Sequence, residues 1–201
     1  DDDGNIYAKH IPFNIEDPSS IGILTISNSG HLSDDSISLD YSSGSNEVLA
    51  CWQEQVGEVY NIHCISVSLD SLEISSVIII HEDILNTQKN PSVKATNHST
   101  FLVTWEDERQ SNYFDLYMQD ITTSGSGTSG ESVVCNAGFN QFNSHLDAFQ
   151  DQDIYLSYWE DDRSSGKEFV TNIFAQKVFF EAECVSLGDL NDDGTWNVLD
   201  I

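Results

Sequence analysis

The sequence has very few basic residues. Seven lysines and arginines stand against 34 aspartates and glutamates in 201 residues, so the formal net charge is -27. Nucleic acids and anionic membranes are bound through Lys and Arg that neutralise phosphate, and this charge balance therefore argues against both as partners. The carboxylates attract divalent cations, although they also fit a solubility adaptation to salty water, where self-repulsion is screened.

Long hydrophobic runs are absent as well. No run of about 18 apolar residues occurs, so the sequence predicts no membrane span. The chain opens on Asp-Asp-Asp-Gly-Asn, which is not a signal peptide. If the protein is exported, we expect its targeting segment to lie outside this sequence or to have been removed.

The motifs of common catalytic sites are also missing. No G-x-S-x-G, H-E-x-x-H or P-loop occurs, and no C-x-x-C or Cys/His zinc spacing. A sialidase clamps a carboxylate with several arginines, whereas this chain has only Arg109 and Arg163. A glycoside hydrolase needs two carboxylates about 5–9.5 Å apart, which so many acids supply by chance. The sequence therefore predicts no enzyme, and a glycan-acting hydrolase is kept only as an alternative.

The sequence does contain a segment repeated three times. An apolar run ends in Trp52, Trp105 or Trp159, and an acidic or amide cluster, a turn and a second apolar run follow. The tryptophans are 53 and 54 residues apart, a period typical of repeat architectures. Each repeat holds about four short strand-like segments, and no helical periodicity appears before the C-terminus. Strands are predicted at 6–11, 21–26, 36–40, 48–53, 60–68, 75–81, 91–95, 101–106, 115–121, 132–135, 145–149, 154–160, 172–179 and 182–185.

Four antiparallel strands in about 53 residues are the content of one β-propeller blade. We therefore predict an all-β fold of propeller-like blades over residues 1–183, followed by a separate segment at 184–201. Three units and the stray strand at 6–11 do not close a ring, since known propellers have at least four blades. We expect either a longer polypeptide or open edges completed by other chains.

Two repeats resemble those of secreted, multi-domain bacterial proteins. Residues 105–109 and 159–163 read Trp-Glu-Asp-x-Arg and are followed by DLYMQ and NIFAQ, which is similar to the pattern WEDxRxGxxDIYAQ. The first repeat, at 52–55, lacks the Asp and the Arg. The resemblance covers about residues 5–180 and implies propeller blades in a secreted or cell-surface protein.

The repeated residues are predicted to be structural. These are the tryptophans Trp52, Trp105 and Trp159 and the arginines Arg109 and Arg163, each Arg pairing with a neighbouring acid of its repeat. The acidic clusters at 106–108 and 160–162 follow their strands directly. We expect them at one rim of the blades, as solvated loop tips or as further cation ligands.

The first repeat permits a register prediction for two cysteines. A two-residue turn at Gly57-Glu58, of type II′ because Gly comes first, pairs Val56 with Val59. Cys51 then lies opposite Cys64 at a non-hydrogen-bonded pair, where Cα atoms are about 4.5 Å apart. This geometry suits a disulfide, with two buried thiols as the alternative.

Two further cysteines, Cys135 and Cys184, close equivalent strand positions in successive units. A bridge between them would tie the last unit to its neighbour. The even number of cysteines permits both bridges and proves neither.

Residues 189–200 fit an EF-hand-like calcium loop. Oxygen ligands are expected from Asp189, Asn191, Asp193, the carbonyl of Thr195, Asn197 through water, and Asp200, with Gly194 at the sharp turn. The segment LGDLNDDGTWNVLDI also looks like the first half of a dockerin-type module, a family with two such loops, of which one is present here. The predicted cofactor is Ca²⁺.

These observations favour a non-catalytic, calcium-binding module that is secreted or displayed on a bacterial cell surface. Its predicted partner is a protein or glycan at that surface. The alternative is a subunit of an extracellular assembly, in which further copies of the chain complete the open edges.

Overall fold

The computed structural model describes residues 5–10, 22–27, 32–81, 85–110, 113–125, 130–149, 154–163 and 171–178, with the side chains of 32–36 and 149 left aside. Within these ranges the chain is built of strands and turns, and no helix is present. The strands are β1 (Ile6–Ala8), β2 (Leu24–Ser27), β3 (Leu32–Ser42), β4 (Glu47–Val56), β5 (Val59–Ser68), β6 (Ile78–Ile79), β7 (Gln88–Ala95), β8 (Phe101–Asp107), β9 (Asp115–Ile121), β10 (Ser132–Cys135), β11 (Gln141–Phe149), β12 (Ile154–Asp161) and β13 (Asn172–Val178).

The strands form four small antiparallel sheets in chain order. Sheet 1 is β1-β2, sheet 2 is β3-β4-β5-β6, sheet 3 is β7-β8-β9-β10 and sheet 4 is β11-β12-β13. The prediction of an all-β chain made of small antiparallel sheets is therefore confirmed. Among the described strands, no sheet closes on itself into a barrel.

Apolar clusters between consecutive sheets form the core. Successive side chains of a strand point to opposite faces, so each sheet contributes to two clusters. In β8, Trp105 faces sheet 2 and Leu102 faces sheet 4. Trp52 and Trp159 likewise face the preceding sheet, in the clusters between sheets 1 and 2 and between sheets 3 and 4. The three sheets that carry a tryptophan thus share one orientation along the chain.

Sheet 1 corresponds to the third and fourth strands of a four-stranded sheet. Its register pairs Tyr7 with Thr25 and Ala8 with Leu24. The third and fourth strands of sheet 2 pair in the same way at His63–Ile79 and Cys64–Ile78. The sequence match between Asn5 and Asn61 therefore extends to the pairing of the strands.

The β4-β5 hairpin has the predicted register. Val56 pairs with Val59, and Cys51 lies opposite Cys64. Gly57 has a φ of 68°, and Glu58 is not among the residues with positive φ, as a type II′ turn requires. The Cα atoms of Cys51 and Cys64 are 4.0 Å apart, and a buried disulfide joins the two residues.

We predict that replacing both cysteines, Cys51→Ala with Cys64→Ala, lowers the free energy of unfolding by about 3 kcal/mol. The bridge closes a short loop in the unfolded chain and fills a fully buried site, and both contributions disappear. Urea denaturation measures the change. Dithiothreitol should destabilise the wild type and leave the double variant unaffected; equal sensitivity of the two proteins would contradict the assignment.

Candidate functional site

The tryptophan of each repeat is held by a carboxylate two residues later. The indole N–H of Trp105 donates to Asp107 Oδ2 at 3.1 Å, and that of Trp159 donates to Asp161 Oδ2 at 3.2 Å. In the first repeat, Trp52 donates to Glu54 Oε2 at 2.7 Å. All three carboxylates are buried, so the hydrogen bond satisfies a donor and an acceptor that water does not reach.

In the second repeat, an arginine binds the same carboxylate. Arg109 donates its backbone N–H to Asp107 Oδ1 and its Nε–H to Asp107 Oδ2, both at 2.8 Å. Its guanidinium lies 4.2 Å from the ring centroid of Tyr117, which stacks on Trp105. Burial alone would lower the pKa of Arg109, but Asp107 and Glu131 raise it above its ordinary value.

The third repeat contains the same four-residue cluster. Arg163 donates to Asp161 at 2.8 Å and 2.7 Å, and its guanidinium lies 4.3 Å from the ring centroid of Phe174. In the first repeat Val56 stands at the arginine position and His63 at that of the aromatic ring. The arginine and the Tyr or Phe ring that it covers are therefore lost together, and the imidazole of His63 contacts Trp52 edge-on instead.

The two arginines also connect neighbouring sheets. Arg109 Nη1 contacts Glu131, whose Oε1 lies 2.8 Å from Nδ1 of His81 at the end of sheet 2. Arg163 Nη2 lies 3.1 Å from the Sγ atom of Cys135 in sheet 3. Burial raises the pKa of the Cys135 thiol, against the opposing effect of Arg163. The predicted partner Cys184 lies outside the described residues, so that pairing stays a prediction.

A repeated asparagine marks a bulge in the first strand of sheets 3 and 4. Asn90 and Asn143 both have a positive φ, and each sits where the strand register shifts. The buried Oε1 of Glu106 accepts the side-chain N–H of Asn90 and the backbone N–H of Asn143, both at 2.7 Å. Glu106 therefore joins sheet 3 to sheet 4. The prediction missed this pair, because its only sequence signal is a single Asn that recurs after 53 residues.

The acidic cluster at 106–108 was predicted to form solvated loop tips or to bind further cations, and the expectation of solvated side chains is wrong for its first two members. Glu106 and Asp107 are fully buried, as is Asp161 in the cluster at 160–162. Burial raises the pKa of Glu106, while Asn90 and Lys89 lower it. Glu106 accepts hydrogen bonds from sheet 4, and Asp107 and Asp161 accept them from the turn that follows their strand. The acids are buried because the strands extend two residues beyond the tryptophan.

The first strands of sheets 2, 3 and 4 each carry one charged side chain at the same position, and the charges alternate in sign from sheet to sheet. Lys94 Nζ lies 3.6 Å from Asp40 Oδ2 and 3.7 Å from Asp147 Oδ1. The three residues occupy equivalent register positions, opposite Leu49, Leu102 and Leu156. One of the few lysines thus pairs with acids on both neighbouring sheets.

The predicted calcium ligands, from Asp189 to Asp200, lie outside the described residues, as does the whole segment 184–201. In the described part of the chain, no group of three or more His, Cys, Asp or Glu side chains is arranged to hold a metal ion. Among the same residues, no helix is long and apolar enough to cross a membrane.

No protein-family model matches the chain. No curated protein matches it at a significant level.

We predict that Asp107→Asn lowers the free energy of unfolding by about 3 kcal/mol, because Arg109 loses its fully buried charged partner and keeps only the partly exposed Glu131. Asp161→Asn should have a similar effect. Glu54→Gln is the matched control: no arginine is present there, and the amide oxygen still accepts from Trp52, so we expect about 1 kcal/mol or less. Equal losses in all three variants, measured by urea denaturation, would contradict this role of the arginines.

Asp115 gives a pH-dependent prediction. It lies opposite Asp107, and burial together with that carboxylate raises the pKa of Asp115 from 3.8 to about 6. The folded protein therefore keeps a proton that the unfolded chain releases near pH 4. The stability contributed by this proton is present below pH 4 and is lost as the pH rises to about 6.

The equivalent residues in the other repeats, Asn61 and Asn172, are uncharged and face Glu54 and Asp161. Asp115→Asn should therefore raise the midpoint of urea denaturation at pH 7 and have little effect at pH 4. Asn61→Asp is the matched control and should lower the midpoint at pH 7. An Asp115→Asn variant that behaves identically to wild type at both pH values would contradict the raised pKa.

Proposed function

We propose that the protein is a non-catalytic binding or scaffold module with a β-propeller-like arrangement of blades, secreted or displayed on a bacterial surface. The observation that carries the proposal is the use of the recurring polar side chains. The tryptophans, the arginines and their carboxylates hold strands and turns together, and Ser92 and Glu106 hold consecutive sheets together. Residues used in this way support a framework rather than a reaction.

The packing of the sheets supports the propeller-like part of the proposal. Sheets follow one another in chain order, and sheets 2, 3 and 4 each turn the tryptophan face toward the preceding sheet. Their first strands contact one another through the Asp40, Lys94 and Asp147 row. Adjacent blades of a propeller place their inner strands side by side in this manner.

The disulfide supports an extracellular location. Cys51 and Cys64 are bridged, and structural disulfides persist in oxidising compartments. The net charge of -27 suits a soluble surface module and leaves the predicted ligand as a protein or a glycan. A glycan-acting hydrolase remains the catalytic alternative.

Calcium is proposed as a structural ion of the segment 184–201. Asp189, Asn191, Asp193, Thr195, Asn197 and Asp200 would supply the hard oxygen ligands that Ca²⁺ prefers. Bound calcium would fix this segment in one conformation.

The calcium proposal is tested with Asp189→Ala in the full chain. We expect terbium luminescence sensitised by Trp196 and its displacement by Ca²⁺ in the wild type, and at least about a tenfold loss of affinity in the variant, because one carboxylate ligand is removed. Glu58→Ala removes an equal charge from an exposed turn and should bind as the wild type does. Unchanged affinity in Asp189→Ala would reject the loop as the site.

The binding role is tested by incubating the full chain with soluble bacterial surface polysaccharides and with envelope proteins. Retention of the protein without release of new reducing ends supports a binding module. Release of reducing ends that a single carboxylate substitution abolishes would instead establish the hydrolase.

A second candidate is a subunit of an extracellular assembly, favoured by the edge position of β3 and the exposed apolar side chains on it. It predicts large complexes of this chain alone. Light scattering after size exclusion distinguishes them from the 22.4 kDa monomer.

A further inference from the structure

One position of the repeat is exposed in sheet 2 and buried in the other sheets. Leu39, Val93 and Leu146 lie opposite the residue two before the repeat tryptophan. Leu39 is 61% exposed, whereas Val93 is 4% and Leu146 is 8% exposed. The three side chains are alike, so the difference comes from what covers them.

The preceding sheet covers this position in sheets 3 and 4. Val93 packs in the cluster that contains Leu49 and Cys51 of β4, and Leu146 packs with Leu102 of β8. For Leu39 the preceding sheet is sheet 1, whose described strands are counterparts of the third and fourth strands. No described strand occupies the place of its first two strands next to β3. Ile37 and Tyr41, on the same face as Leu39, are 51% and 45% exposed.

Among the described strands, the backbone of β3 is unpaired on the same side. In sheet 3 the N–H of Val93 donates to Ser38 Oγ at 3.0 Å, and in sheet 4 the N–H of Leu146 donates to Ser92 Oγ at 2.9 Å. Each first strand is thus hydrogen-bonded to a serine of the sheet before it. Leu39 holds the equivalent position in β3, an edge strand, so its N–H points toward the same side.

The charge of Asp40 indicates which side chain a strand next to β3 would carry. Asp40 is flanked by Lys94 on the side of sheet 3. On its other side, the alternation of sign along the Asp40, Lys94 and Asp147 row calls for a lysine, which also offsets the strong negative charge of the chain.

We infer that the surface formed by Ile37, Leu39 and Tyr41, called here the β3 face, is a docking site for a β-hairpin of the β7-β8 type. The first strand of the hairpin lies along β3. Its serine accepts the N–H of Leu39, and a lysine two residues later pairs with Asp40. Its second strand adds to β1, which is paired only with β2 among the described strands. This inference rests on the blade-type packing proposed above and is independent of calcium and of any surface ligand.

The test builds the hairpin into the full chain. A second copy of residues 86–114 is placed directly before Asn5, so that its Phe114 precedes Asn5 as Phe114 precedes Asp115 in the repeat. We expect the hydrogen-exchange protection of the Leu39 amide to rise at least about tenfold and the Tm to rise by about 4 °C or more, because apolar surface and an edge are covered.

Substitutions confined to the inserted copy are the matched controls. Leu102→Asp in that copy places a charge against the β3 face and should abolish both gains. Ser92→Ala in that copy should remove most of the protection at Leu39 and leave the hairpin in place. Protection of Leu39 that persists in both controls would overturn the inference.

A second variant is measured both in the original chain and in the chain with the insertion. Leu39→Ser in the original chain should shift the Tm by less than about 2 °C, since the side chain is exposed, but should remove the gain when the insertion is present. A large loss in the original chain, or a Leu39 amide already protected there, would show that the chain's own residues cover the face. A dimer of the original chain that Leu39→Ser dissociates would replace the hairpin by a second copy.

Terbium binding is measured on every protein in the series. If no protein in the series binds terbium, the calcium part of the proposed function is refuted. The hydrogen-exchange data at Leu39 can still be interpreted in that case. Intact terbium binding with no protection at Leu39 would refute the docking site alone.

Discussion

The structure depends on a buried carboxylate two residues after the tryptophan of each repeat. Asp107 and Asp161 each accept from the indole N–H, from the backbone N–H of an arginine and from its guanidinium. A buried charge is costly without such partners, and the full set of donors offsets that cost. The carboxylate thereby fixes the end of the second strand, the direction of the following turn and the rotamer of the residue that fills the space between two sheets.

The contacts between sheets form a second layer of organisation. Glu106 binds both bulge asparagines, and Ser38 and Ser92 accept from the next sheet. These bonds are polar and directional, while the apolar clusters around Trp105 and Trp159 are not. Apolar packing holds the sheets together, and the polar bonds set the position at which each sheet meets the next. Where no described strand covers the first strand of a sheet, its apolar face is exposed, as on β3.

Local patterns carried the predictions that succeeded. Gly57 and the flanking valines fix the register of the β4-β5 hairpin, because a two-residue turn leaves one choice, and Cys51 then meets Cys64. The strands follow from apolar runs bounded by polar turns. The burial of Glu106 and the bulges at Asn90 and Asn143 were not predicted, since these depend on contacts between residues of neighbouring sheets. An acid beside a turn has the sequence pattern of a solvated loop, and only tertiary packing shows that its partners lie on the next sheet.

The disulfide has a mechanical consequence. It joins the two central strands of sheet 2, opposite each other and close to the middle of both strands. Tension on the two ends of the chain can separate β3 or β6 from this sheet but cannot unzip β4 from β5 past the bridge. Sheet 2 would thus keep β4 and β5 joined after sheets 3 and 4, which have no such bridge among their described residues, have been pulled apart.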